Sequence, residues 1–136
     1  LQLSKLETVS LNLARKSSDQ LISRTENSIP DEPTLLLLEL LSQITSFRST
    51  IPSLLQSQIF PLIHTILTRY NGKPRMIYYT VQILRNLLQD KEAGLLSKTV
   101  VLKKPLVVIR DHEDYKEDTA ILSDVAACLR LLKLYA

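Results

Sequence analysis

Several things are scarce in this chain, and each scarcity excludes something. A single cysteine, Cys128, in 136 residues rules out an intrachain disulfide and every multi-cysteine metal site. Two glycines and no tryptophan argue against β-sandwiches, collagen and glycine-rich phosphate loops. Neither sign of charge dominates: Lys and Arg number 17 against 14 Asp and Glu, a net +3, so this is neither a histone-like polycation nor a polyacidic tail. Apolar runs such as Ile59 to Ile63 fall far short of the roughly 20 residues that a membrane-spanning helix needs. No basic-then-apolar leader stands at the start. With a lone cysteine inside a helical pattern, the expectation is an intracellular protein, cytoplasmic or nuclear. The first residue is Leu1 rather than Met and Ala136 follows an apolar run, so a piece of a longer protein is expected.

What is present is hydrophobic and periodic. Hydrophobic residues make 45% of the chain, enough for a real core in one domain. Leu3, Leu6, Val9 and Leu13 recur at spacings of three and four, so 1–24 reads as an N-terminal helical segment. The polar stretch 25–32 reads as a linker or capping loop, and helices follow over 33–136. Pro33 suits a first helical turn, with Asp31 and Glu32 favourable at that end. Leu35 to Leu38, Leu40, Leu41 and Ile44 then make a helix that is apolar nearly all round and must be covered on two sides. Pro52 admits a short helix with Leu54 and Leu55. A second helix carries Ile59 to Tyr70, with Pro61 in its first turn. Asn71-Gly72 stops it, since both residues tolerate left-handed backbone angles. Pro74 opens a helix through Leu88, and the last helix runs from about Thr119 to Tyr135. The stretch 93–110 reads as two short helices broken at Pro105, with two short strands as the alternative.

A long period runs through these helices. Leu38, Leu84 and Leu129 lie in similar apolar clusters, at separations of 84 − 38 = 46 and 129 − 84 = 45. Leu41, Leu87 and Leu132 keep the same offsets. A period of roughly 40 to 47 with two or three helices per unit is that of armadillo and HEAT arrays. The segment Ile51 to Asp90 resembles an armadillo repeat, with Leu54-Leu55, Ile59-Phe60-Pro61-Leu62-Ile63 and Val81 to Leu88 as its three helices. The resemblance implies an all-α fold, an armadillo-like α-solenoid fragment of two to three units. An irregular helical bundle is the alternative. In peptide-binding armadillo proteins an asparagine on the third helix grips an extended peptide backbone. Asn86 stands at that position, but Leu40 and Leu131 occupy the equivalent places, so the asparagine ladder is missing.

Chemistry is sparse. His64 lies among apolar helix residues and reads as packed or half-exposed. His112, in Asp111-His112-Glu113-Asp114, lacks a second histidine and HExxH spacing, so a solvated loop is expected there. Cys128 sits on an apolar face, with Arg130 as the cation nearest in sequence. No acid, base and nucleophile converge, so the chain reads as a non-enzyme with no cofactor or metal.

Besides Asn86, the candidate partner-binding residues fall in three groups. Arg69, Tyr70, Lys73 and Arg75 crowd a helix–helix turn and offer a contact for phosphate, acidic peptide or nucleic acid. Tyr78 and Tyr79 point about 100° apart, so one is expected in the core and Tyr79 as an exposed anchor. Leu131, Leu134 and Tyr135 on the last helix have no following helix in sequence and should meet another repeat, a partner chain or a copy of themselves. The expected role is a scaffolding module for another protein or the rest of a longer array. Nucleic-acid or anionic-surface binding through Arg69, Lys73, Arg75, Lys103 and Lys104 is one alternative, and self-association as a homo-oligomer is another.

Overall fold

The structure, a computed structural model, describes Lys16, Asp19, Gln20 and residues 32–135. The expected helical segment 1–24 and linker 25–32 therefore lie outside the described residues but for Glu32 and those three, which are helical. Between 32 and 135 the chain forms seven α-helices: α1 (Glu32–Ile44), α2 (Ile51–Leu55), α3 (Ile59–Arg69), α4 (Pro74–Leu88), α5 (Lys91–Leu96), α6 (Lys103–Arg110) and α7 (Thr119–Leu134). Three single 3₁₀ turns, Arg48–Thr50, Ser97–Thr99 and Glu113–Tyr115, join them. The described residues contain no strand. The all-α expectation holds, and the strand alternative for 93–110 does not.

Local chemistry sets the helix ends. The Asp90 carboxylate accepts from the Ala93 N–H at 3.0 Å and caps α5. Asp118 does the same for α7, accepting from Ile121 N–H at 3.1 Å. Pro74 opens α4, where its missing N–H costs nothing. Two expectations need correction. Pro105 does not break a helix: it is the third residue of α6, and the break falls earlier, at residues 100–102. A proline in a first turn removes only an N–H that has no intrahelical partner anyway. The α3–α4 turn also closes without any left-handed residue, because no described residue has a positive φ. A bond from Lys73 N–H to the Tyr70 carbonyl at 3.0 Å shapes it instead.

The longest helices, α1, α4 and α7, have 13, 15 and 16 residues. α4 packs against both of the others, with α1 on one side and α7 on the other. α3 packs against α4 and α6, and α6 packs against α7. The short helices α2 and α5 also touch each other. Flanked in this way, α4 buries Met76, Ile77, Thr80, Val81, Ile83, Leu84, Leu87 and Leu88. Fully burying one such leucine contributes about 2 kcal/mol, so α4 supplies much of the cohesion of the core.

The helix starts keep the sequence period. α3 and α6 begin 103 − 59 = 44 residues apart, and α4 and α7 begin 119 − 74 = 45 apart. Pro61 and Pro105 are each the third residue of their helix. Side-chain bonds also join residues about one period apart. Asn86 Nδ2 donates to the Ser42 carbonyl at 3.2 Å and to Thr45 Oγ1 at 3.0 Å. Cys128 Sγ donates weakly to the Val81 carbonyl at 3.6 Å. The Tyr115 hydroxyl donates to the Asn71 carbonyl.

Candidate functional site

At the α3–α4 turn, Arg69, Lys73 and Arg75 are exposed and Tyr70 is half-buried, so the expected cluster of cations is present at the tip. It does not stand alone. Tyr115, wholly buried, reaches from the acidic segment 111–118 to the Asn71 carbonyl and pins that segment beside the tip. Sequence reasoning missed Tyr115 because it sits among charged residues. Burial pushes its phenol up to about 12, and Asp114 and Asp118 add to the effect. The acidic segment is thus a docked element, tied to the α3–α4 turn through the Tyr115 hydroxyl.

Tyr78 and Tyr79 do not divide into one core and one exposed residue. Both are half-buried, and their rings meet edge to face at 5.2 Å and 73°. Asn86 is also committed internally. Both of its bonds go to α1, so its amide ties α4 to α1 instead of facing an extended peptide.

On α7, Leu131 is half-buried and Leu134 is 76% exposed. Tyr135 is half-buried over Gly94, where an added Cβ would overlap its ring. Its hydroxyl lies 3.4 Å from the Leu88 carbonyl, a long contact. Thus Leu134 faces solvent while Tyr135 closes the end of α7 against α5. An ion pair that no local spacing in the sequence signals joins α4 to α7. Arg85 Nη1 lies 2.7 Å from Asp124 Oδ1, with the Asp124 side chain only 8% exposed.

A groove of about 570 Å³ runs between α6, α7 and the segment 97–102. Val100, Val101, Leu129 and Leu132 supply apolar lining, and Tyr135 closes one end. Lys98, Lys103, Arg130 and Lys133 line it as well, all exposed, and no Asp or Glu does. Among the described residues none of these four has an ion-pair partner. Of the uncharged polar side chains in the lining, Ser97 donates its hydroxyl to the Gly94 carbonyl at 2.5 Å, and the Tyr135 hydroxyl is directed at the Leu88 carbonyl. Arg110 pairs with its neighbour Asp111 at 3.1 Å.

The titratable groups do not converge. His64 is half-buried on α3 beside Val101, Lys104 and Val108. His112 Nδ1 accepts from the Asp114 N–H at 3.1 Å and caps the 3₁₀ turn. The Asp114 carboxylate lies 3.7 Å from the same nitrogen. Burial raises the Cys128 thiol well above its ordinary value, with Asp124 adding to the rise and Arg85 opposing it. The charges that act on this thiol are thus Asp124 and Arg85, not the sequence neighbour Arg130. No group of three or more His, Cys, Asp or Glu side chains suited to a metal occurs among the described residues. No described helix is long and apolar enough to cross a membrane. No protein-family model matches the chain, and no curated protein or solved structure matches it.

Proposed function

We propose that residues 33–135 form two armadillo-like units preceded by the closing helix of another, and that this array is a non-catalytic module for holding other proteins. One observation carries the reading: like packs on like. α4 lies between α1 and α7, α3 meets α6, and α2 meets α5, each pair about one sequence period apart. An irregular bundle has no reason to pair its helices at a constant offset, whereas stacked repeats must do so. Such an array recognises partners by shape and apolar complementarity across its helix faces. We place it inside the cell, in the cytoplasm or nucleus, as a subunit of a larger complex.

The test is cross-linking of the 136-residue chain to its partners in cell extract, in parallel with surface variants. Val101→Asp and Tyr79→Ala change groove and helix face respectively, and circular dichroism checks that each stays folded. A defined partner that one of these variants loses supports the module. If the purified chain turns over a substrate, or no capture responds to any surface variant, the reading fails.

The exposed Arg69, Lys73, Lys103 and Lys104 favour a second reading, binding of nucleic acid or an anionic surface. Counterion release then makes affinity fall steeply with salt, while an apolar interface hardly responds. The acidic segment beside the tip weighs against it.

A further inference from the structure

Resting on the interaction-module reading, we infer that the groove along α6 and α7 receives an amphipathic helix of a partner protein, and that this helix carries a carboxylate for Arg130. The molecule contains its own precedent. Leu84-Arg85 on α4 and Leu129-Arg130 on α7 stand 130 − 85 = 45 residues apart in register. The α4 copy is covered by a helix, α7, which brings Asp124 to within 2.7 Å of Arg85. The α7 copy has no helix over it among the described residues, and its Arg130 has no carboxylate.

Charge and shape select the same occupant. Lys98, Lys103, Arg130 and Lys133 border the groove with no acidic residue in its lining. An apolar floor inside a charged border is the anatomy of a protein interface, and helix-in-groove docking is one of its recurring forms. A small-molecule site needs convergent polar groups to orient its ligand, and the Ser97 hydroxyl is already used on Gly94. A second copy meeting the first face to face would oppose cation to cation.

The probe is a fluorescein-labelled peptide of about 18 residues, long enough to form a helix, with leucines three and four apart and glutamates beside them. Controls are a scramble of equal composition, a version with lysine for glutamate, oligothymidylate, and phosphatidylserine vesicles. Anisotropy with the full chain is expected to show saturable binding of the designed peptide alone. Arg130→Ala is expected to weaken it about tenfold, the size of a lost interfacial charge pair. Val101→Asp, at a residue 69% exposed and so safe for folding, is expected to weaken it at least as much. Arg48→Ala, at an exposed residue of the first 3₁₀ turn and outside the groove lining, is expected to leave it unchanged, and Lys133→Glu stands in should Arg130→Ala disturb the fold.

Absence of saturable binding overturns the assignment. So does equal binding of the scramble, the oligonucleotide or the vesicles, which reduces the groove to a general anion surface. If the peptide fails while a cross-linked partner is still lost with Tyr79→Ala, only the groove falls and the module survives. If no partner responds to any surface variant either, both fall.

Discussion

α4 and α7 carry nearly the same apolar register, yet they live in different surroundings. Leu84 and Leu87 on α4 are wholly buried, while Leu129 and Leu132, one period later, are half-buried. The difference does not come from the side chains, which are identical. It comes from the neighbours: α4 is packed on both flanks, whereas α7 meets α4 and α6 and faces the groove beyond. Periodicity in a sequence thus reports which face is apolar, and the number of packed neighbours decides how much of that face is removed from water. A helix packed on fewer sides keeps interior chemistry on its outside.

The sharpest way to break this comparison is at its matched leucines. Leu84→Ala deletes atoms from a fully enclosed site and is expected to cost about 2–5 kcal/mol. Leu129→Ala, where solvent already reaches the side chain, is expected to cost less than half as much. Leu84→Asp is expected to unfold the chain outright by placing a carboxylate in the core. Urea denaturation followed by circular dichroism measures all three. Equal losses at 84 and 129 would mean that α7 is as enclosed as α4.

The arginines one position further on come next in size. Arg85→Ala leaves Asp124, whose side chain is 8% exposed, without its cation. A partly buried carboxylate stranded in this way is expected to cost about 2 kcal/mol, below the range for fully buried pairs because Arg85 is itself 46% exposed. Arg130→Ala removes a charge that no described carboxylate meets and is expected to stay within about 0.5 kcal/mol. A large loss at Arg130 would reveal that α7 is already capped on its outer side.

How much of this was legible beforehand follows from where the signals lie. The helices and the offset of 45 or 46 between their apolar clusters are written in leucine spacing, because a buried stripe must recur every turn. The break in 93–110 was misplaced because a proline ends a helix in its middle but is harmless in its first turn. Aligning Pro105 with Pro61, at 105 − 61 = 44, places it correctly. Tyr115 was hidden by its charged neighbours, yet it lies 115 − 70 = 45 residues after Tyr70, so the period marks it too. The Arg85–Asp124 pair spans 39 residues and obeys no local spacing, so only the packing of α4 on α7 brings it together. The groove was out of reach for the same reason: the segment 97–102 that forms one wall is aperiodic.

A smaller effect is expected at the third matched position, where α4 has Asn86 and α7 has Leu131. Asn86→Leu writes the α7 residue into α4. It abolishes the bonds to the Ser42 carbonyl and Thr45 Oγ1, and a loss of about 1 kcal/mol is expected. Urea midpoints of the single variants and of Asn86→Leu with Thr45→Val complete a double-mutant cycle. A coupling near zero would mean that the amide does not hold α1 to α4.

The smallest and most specific effect concerns the two tyrosines one period apart, half-buried Tyr70 and wholly buried Tyr115. Tyr115→Phe keeps the ring in place and removes only the hydroxyl that donates to Asn71, so a cost of about 1 kcal/mol or less is expected at neutral pH. The distinguishing feature is pH. In the unfolded chain the phenol ionises near 10.0, and in the folded chain burial pushes it up to about 12. Between those values the unfolded state has given up its proton and the folded state has not, so rising pH favours unfolding. The stabilisation from the protonated phenol is complete below pH 10 and is lost by the time pH passes 12. Phenylalanine has no such proton. The urea midpoint of the wild-type chain, measured relative to Tyr115→Phe, should therefore stay level up to about pH 10 and fall above it. If wild type and Tyr115→Phe instead lose stability in parallel as pH rises, the phenol ionises as freely in the folded chain as in the unfolded one, and the acidic segment is not docked against the α3–α4 turn.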